Sequence, residues 1–299
     1  MMDFPGVILI TYRGHFSSRN ICILYHRQDV ALIHCSLFLG FAFADQPDEE
    51  TIRRAMQNPD LFGGDMMGIE GPDDRNGIPW EMFRWPDAKV PYVIDPSLKD
   101  HMDVITQAFN NYHSTTCVRF IPRTNQPDYI RLFAGQGFIT RYIKSVIQHV
   151  LSTTMSYMYL PTTILTFFYS QVGMTGGQQP VSLGQGCHFK GTVVHELGHA
   201  LGFYHEQNRS DRDDYLEIFM NNVQKGMESN FAKLAPNQNW LITDFDYESI
   251  MIYGNHAFSK DGTSITMKAK NGKPLYDPYK KIGMTASDIK RVNTMYECK

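Results

Sequence analysis

Sustained positive charge is missing from this chain. Its 28 Lys and Arg stand against 31 Asp and Glu, the net charge is −3, and the basic residues form no run. Neither a nucleic-acid backbone nor an anionic membrane is indicated as a partner, because both are recognised through concentrated positive charge. A convincing membrane span is missing too. The apolar stretch at residues 30–44 (VALIHCSLFLGFAFA) falls short of the roughly 20 residues a spanning helix needs. The uncharged stretch that begins at Val150 is broken by Pro161 and by many Ser and Thr residues. Cysteine is scarce, five residues in all, and the odd number leaves a free or intermolecular thiol in an oxidising compartment. There is one N-x-S/T sequon, Asn208-Arg209-Ser210, and no internal repeat. What remains, 42% hydrophobic and 20% charged residues, is the composition of an ordinary globular protein with one or two domains and a core of normal size.

Residues 30–44 are followed by Asp45, and Ala42-Phe43-Ala44 has the small-x-small form of a signal-peptidase site. They read as the apolar part of a signal peptide within a leader at 1–44, which implies secretion. A buried strand or core helix is the alternative, since residues 1–29 make a long and weakly basic leader; an unused upstream start or an uncleaved anchor would also account for it. If the leader departs, Cys22 and Cys35 go with it, leaving Cys117, Cys187 and Cys298.

The densest chemistry lies at residues 195–215, HELGHALGFYHEQNRSDRDDY. On a helix His195 and His199 leave the same face, so both imidazoles can reach one ion, with Glu196 beside them. Gly202 can take a positive φ that ends the helix and turns the chain so that His205 returns as a third nitrogen donor. Three protein ligands leave a position open for water, as a catalytic zinc requires and a structural zinc does not. A bare HExxH also occurs among ordinary helix and loop histidines; the extended HExxHxxGxxH is much rarer and calls for a methionine turn downstream. Ser249-Ile250-Met251-Ile252-Tyr253 supplies one.

GFYHEQNRSDRD, with His205, Glu206, Arg209, Asp211, Arg212 and Asp213, together with SIMIY, resembles the astacin family of zinc endopeptidases in the metzincin clan. The resemblance runs from about Asn76 to the C-terminus. It implies that His195, His199 and His205 hold one Zn2+ per catalytic domain, that Glu196 is the general base, and that Tyr253 is a further, displaceable ligand above the turn carrying Met251. It implies an α+β fold: an upper subdomain with a twisted mixed sheet and two long helices, an irregular lower subdomain entered after Gly202, and a cleft between them. A protein or peptide substrate would lie antiparallel on an edge strand at Tyr169, Ser170 and Gln171.

The resemblance also reaches upstream. In Phe62-Gly63-Gly64-Asp65 it makes Asp65 a switch on the zinc of the precursor, where the residues alone would read as a Gly-Gly-Asp turn. A trypsin-like protease would cut after Arg75, freeing the amino group of Asn76 to turn inward toward Glu206. A long-range disulfide maps to Cys117 and Cys298, and closing so long a loop contributes about 5 kcal/mol in the chain-entropy model. Cys187 lacks its family partner.

Elsewhere the pattern gives elements. Residues 45–75 are acidic and Gly-rich and read as an extended pro-segment unable to fold alone. Residues 90–94 read as a strand, and Ser97 with Asp100 as the capping box of a helix with an apolar stripe at Leu98, Met102, Ile105, Phe109 and Tyr112. Residues 117–121 and 129–133 alternate as strands. Thr285 and Asp288 cap a last helix with Ile289, Val292 and Tyr296 facing inward. Residues 138–168 fit nothing: Thr- and Ser-rich, without an acid, without a period, and standing where the family has a single cysteine. They read as an atypical insertion in a catalytic domain at 76–299, either a surface loop or translated intervening sequence, the latter favoured because so apolar a loop would be hard to keep soluble. The function expected is a secreted zinc endopeptidase made as a zymogen. The rival is a non-catalytic or misfolded zinc-binding isoform disabled by that insertion.

Overall fold

The computed structural model describes residues 8–11, 21–27, 30–35, 48–68, 81–135, 167–184 and 188–299, the first three stretches as backbone alone. Residues 1–46 form one unit and residues 47–299 another. The first holds strands β1 (Ile8–Thr11), β2 (Ile21–Arg27) and β3 (Val30–Cys35) in an antiparallel sheet. The start of the apolar stretch thus lies in β3, while Ala42-Phe43-Ala44 lies outside the described residues.

The second unit begins with helix α1 (Glu49–Ala55). Asp48 caps it, accepting from the Thr51 N–H at 2.7 Å, and Glu49 and Glu50 in the first turn and Arg53 and Arg54 in the last match the helix dipole. The extended reading of this stretch needs correcting. Two turns bury only Ile52 and Ala55, followed by Met56, too few residues to set up a visible period.

A six-stranded mixed sheet follows: β4 (Met66–Met67), β5 (Lys89–Ile94), β6 (Arg119–Pro122), β7 (Tyr129–Phe133), β8 (Tyr169–Gln171) and β9 (Gln178–Ser182), in the order β4-β8-β9-β7-β5-β6. All pairs are parallel except β8 with β9. The alternation that marked β7 reflects a half-covered sheet: Ile130 and Leu132 are fully buried and their neighbours are not. Helix α2 (Met102–His113) buries Ile105, Ala108, Phe109 and Tyr112, and packs on helix α3 (Lys190–Leu201).

The start of α2 differs from expectation. A 3-10 segment, Pro96–His101, precedes it and is capped by Asp95, whose side chain accepts from Ser97 N at 3.0 Å. Ser97 instead accepts from Ala134 N at 3.0 Å, tying the helix entry to the end of β7. With three residues per turn in that segment, Leu98 and Met102 fall out of phase, and Met102 is 42% exposed.

Beyond α3 the chain is largely irregular: short 3-10 turns, the antiparallel pair β10 (Leu216–Ile218) and β11 (Met267–Ala269), and helix α4 (Ala286–Met295). The architecture is α+β, as expected. Thr285 and Asp288 form the expected capping box, but the buried face of α4 is Asp288, Arg291, Val292 and Met295, with Ile289 only half-buried. Cys117 and Cys298 are bridged. Cys187 and residues 138–166 lie outside the described residues, whereas Phe167 and Phe168 are buried, and Phe168 N donates to Ala55 O at 2.9 Å. No helix among the described residues is long and apolar enough to cross a membrane.

Gly191 lets α3 approach the 3-10 turn at Pro278–Lys280, since a Cβ there would stand 2.1 Å from the Pro278 carbonyl oxygen and 2.4 Å from that of Lys281. Gly191→Ala should lower stability by about 1–3 kcal/mol through overpacking. That outweighs the roughly 1 kcal/mol helix-propensity advantage of Ala. An unchanged or raised urea midpoint would refute the contact.

Candidate metal centre

Every residue of α3 from Gly191 to Leu201 is buried, so the helix carries His195, Glu196 and His199 through the core. Side chains from elsewhere fix it: the Tyr112 hydroxyl donates to Val194 O at 2.8 Å, Trp85 Nε1 to Ala200 O at 2.8 Å and the Tyr296 hydroxyl to Leu201 O at 2.9 Å. The last two satisfy carbonyls that a helix end leaves without partners. Gly202 takes φ 112°, ends the helix and swings the chain so that His205 returns to it. Glu206 N then donates to Met251 O at 2.9 Å, tying the returning chain to the methionine turn.

The three Nε2 atoms stand together: 3.1 Å between His195 and His199, and 3.2 Å from each of these to His205. Asp65 completes the cluster, its carboxylate 3.1 Å from His195, 3.3 Å from His199 and 3.1 Å from His205. All four residues are buried. His195 Nδ1 hydrogen-bonds Ile250 O at 2.8 Å and His199 Nδ1 bonds Phe203 O at 2.7 Å. A carbonyl can only accept, so Nδ1 of each ring carries the proton and Nε2 presents a lone pair to the centre. Burial pushes His195 down to about 3, which keeps it neutral. Lone pairs and a carboxylate converging on one buried point repel one another unless a cation lies among them. Donors about 2.0–2.1 Å from a tetrahedral zinc are separated by about 3.3 Å, which these spacings match. The donor set fits one zinc ion.

Around this cluster, Glu196 is fully buried and neither carboxylate oxygen has a hydrogen-bond partner. Burial, with the charge of Asp65, holds its pKa well above the ordinary carboxylate range. The Tyr253 hydroxyl meets the Asp65 carboxylate and lies 3.0 Å from Met56 O; burial and that carboxylate raise its pKa, so it stays a donor. Burial acts to raise Asp65, but its interactions with the surrounding imidazoles leave it well below the usual range. Gly63, the variable position of the upstream motif, has φ +66°, and a Cβ on it would meet His205 Nδ1 at 2.7 Å.

The methionine turn is held from behind. Asp288 accepts from the Ser249 hydroxyl at 2.6 Å and Ile250 N at 2.8 Å, while Lys281 Nζ donates to Ser249 O at 2.7 Å and Ile252 O at 2.6 Å. Glu206 is buried, with Arg291 on both oxygens at 2.7 and 2.8 Å and Arg209 at 3.1 Å. Asn76 lies outside the described residues. Tyr169, Ser170 and Gln171 form β8, which is not at the edge of the sheet here because β4 pairs with it in parallel on its outer side. Lys281 and Arg291 gave no signal in the sequence, since only the tertiary fold chooses their partners. Asp288 was visible as a cap but not as the brace of the turn.

A family model described as Astacin, a peptidase family, matches residues 79–145 and 141–297. The chain is 36% identical over 242 residues to "Astacin-like metalloprotease toxin 1" of Loxosceles intermedia, covering 80% of this chain and 81% of that protein. It is 32% identical over 278 residues to "Zinc metalloproteinase nas-6" of Caenorhabditis elegans, covering 88% of this chain and 70% of that one. Among solved structures it is similar to High choriolytic enzyme 1, a hatching enzyme zinc-protease from Oryzias latipes, with TM-score 0.57, 32% identity, and coverage of 72% of this chain and 94% of that one.

Gly198 is where α3 and the methionine turn press together: a Cβ there would lie 2.6 Å from Met251 Sδ. Gly198→Ala should displace the turn, and with it the carbonyl that orients His195, costing about 1–3 kcal/mol and weakening zinc retention against a chelator. Adding Met251→Ala should recover part of the loss. Strictly additive effects in that pair would show that the two residues do not meet.

Proposed function

The chain belongs to the astacin family of zinc metalloproteases, and from that membership and the geometry of its centre we propose a secreted endopeptidase, made latent, that hydrolyses internal peptide bonds of proteins. In this reading residues 1–44 are a leader with a signal peptide, 45–75 a pro-segment and 76–299 the catalytic domain. The observation that carries it is the Asp65 carboxylate among His195, His199 and His205, immediately before a strand that covers the edge of the sheet.

His195, His199 and His205 would hold the zinc ion, which when bound would supply Lewis-acid polarisation of the scissile carbonyl and acidify a water molecule. Glu196 takes the proton of the attacking water and delivers it to the leaving nitrogen. Its lack of any protein hydrogen bond supports that role, because a base engaged by neighbours is not free to move a proton. Tyr253, protonated and beside the cluster, donates to the oxyanion once Asp65 has left. The peptide then adds to β8 as an antiparallel strand along Tyr169, Ser170 and Gln171.

Latency follows from the same contacts. β4 occupies that edge in parallel, opposite to the direction proposed for substrate, so its own peptide bonds are not offered for cleavage. The Asp65 carboxylate stands against the three histidine nitrogens, where it would exclude water, and α1 is stapled down by Arg53 Nη1 to Gly262 O at 2.6 Å and by Lys280 to Glu49 at 2.9 Å. Cleavage near Arg75 by a trypsin-like protease releases this segment. The burial of Phe167 and Phe168, and the formation of β8 directly after them, favour the catalytic reading over a disabled isoform.

Two outcomes are expected. Glu196→Ala should keep its zinc and lower turnover of a denatured protein substrate by at least about 10²; undiminished turnover would remove Glu196 from the mechanism. Asp65→Ala should raise the activity of the uncut precursor toward that of protein trimmed near Arg75. Equal activity of the unmodified precursor and the trimmed protein would contradict latency.

A further inference from the structure

The sequon residue Asn208 is fully buried. Its Nδ2 donates to Asn230 O at 3.0 Å and to Ala232 O at 2.7 Å, and its own carbonyl accepts from Leu234 N at 2.7 Å. Two carbonyl acceptors on one side fix the orientation of the carboxamide, since a flipped group would set oxygen against oxygen. Oδ1 is therefore aimed by the loop at residues 230–234, and it meets no polar atom at full hydrogen-bond geometry. His205 Nδ1 is likewise buried and unmet, and Asn208 N donates to His205 O at 3.1 Å, which puts the two residues on one short turn.

His195 and His199 each have a backbone carbonyl on Nδ1; His205 has none. A zinc-binding imidazole needs such an acceptor to hold its tautomer and ring plane. We infer that Asn208 Oδ1 is the acceptor for His205 Nδ1–H, which makes Asn208 a positioning residue for the third zinc ligand and leaves the Asn208-Arg209-Ser210 sequon silent in the folded enzyme. The inference rests on the zinc-site reading. A glycan on Nδ2 would displace a hydrogen bond to the 230–234 loop and has no space at a fully buried atom, so a glycosylated Asn208 and an intact zinc centre exclude each other.

The test compares Asn208→Leu and Asn208→Asp in the full chain, with zinc affinity measured by competition against a chromophoric chelator. Both variants lose the two donations to the loop, so both should melt at lower temperature when zinc-free. Only Asp keeps an acceptor facing His205. Asn208→Leu should bind zinc about 10- to 100-fold more weakly than the unmodified chain, with Asp recovering most of that loss. Equal zinc affinities for Leu and Asp would overturn the inference, whereas an unmodified chain that binds no zinc would overturn the site reading itself. Should Asn208→Leu fail to fold, peptide mapping of the unmodified protein made in a glycosylating host decides: the zinc-loaded fraction should carry no glycan at Asn208, and a zinc-loaded glycoform would overturn the inference.

Discussion

Three imidazole lone pairs and a carboxylate turned toward one buried point are unfavourable without a cation among them, and the surrounding structure is organised to hold them there. Each Nδ1–H must be committed outward so that each Nε2 lone pair faces inward. Ile250 O does this for His195 and Phe203 O for His199. Ile250 is itself fixed through its N–H by Asp288, the capping residue of α4, so a helix start near the C-terminus sets the orientation of a ring on the central helix. The bridge from Cys298 to Cys117 anchors the end of that C-terminal segment to the first half of the domain. Folding and metal binding are therefore coupled, because the ligands come together only when the irregular lower part is in place.

Asp65 can neutralise part of the zinc's charge only by occupying the space that water needs. The fit is close on all sides. Gly63 has no room for a side chain beside His205, and a Cβ at Gly64 would stand 2.7 Å from the Met56 carbonyl oxygen, so both glycines carry the backbone through a passage bounded by the centre and by α1. Tyr253 bridges the two, touching Met56 O and Asp65 together. In the proposed zymogen, removal of the segment from 48 to 67 would uncover the three histidines, the tyrosine hydroxyl and the β8 edge at the same time.

The centre was legible because its signals are local. The i,i+4 spacing of His195 and His199, the helix-ending Gly202 and the nearby His205 require no knowledge of distant contacts, and the alternation in β7 and the capping box at Thr285 are equally short-range. What was missed depends on tertiary partners. Helix α1 is too short to show a period and is held by residues some two hundred positions away. Met102 was placed in the core by extending α-helical spacing back through a 3-10 turn. Asn208 read as a sequon because nothing in the sequence shows that Asn230 and Ala232 turn their carbonyls toward it.

Glu206 sets a condition on any amino group that docks beside it. Its Oε1 accepts from Arg291, Arg209 and Asp246 N, three donors on two lone pairs, while its Oε2 accepts from Arg291 alone and keeps a second lone pair. An arriving ammonium can take that lone pair of Oε2 or displace a donor from the crowded Oε1, and a displaced buried charge is costly unless another partner takes it up. Arg291 is bound bidentately and its next carboxylate contact, to Asp288, is 3.4 Å long. Arg209 makes the longest of the four bonds at 3.1 Å and already holds Asp211 through Nε at 2.9 Å and Nη2 at 2.8 Å. Arg209 is therefore the donor that can yield while keeping its charge paired. Arg291 stays as the fixed counter-charge that lets a carboxylate remain buried one residue after a zinc ligand, whether or not an amine is present.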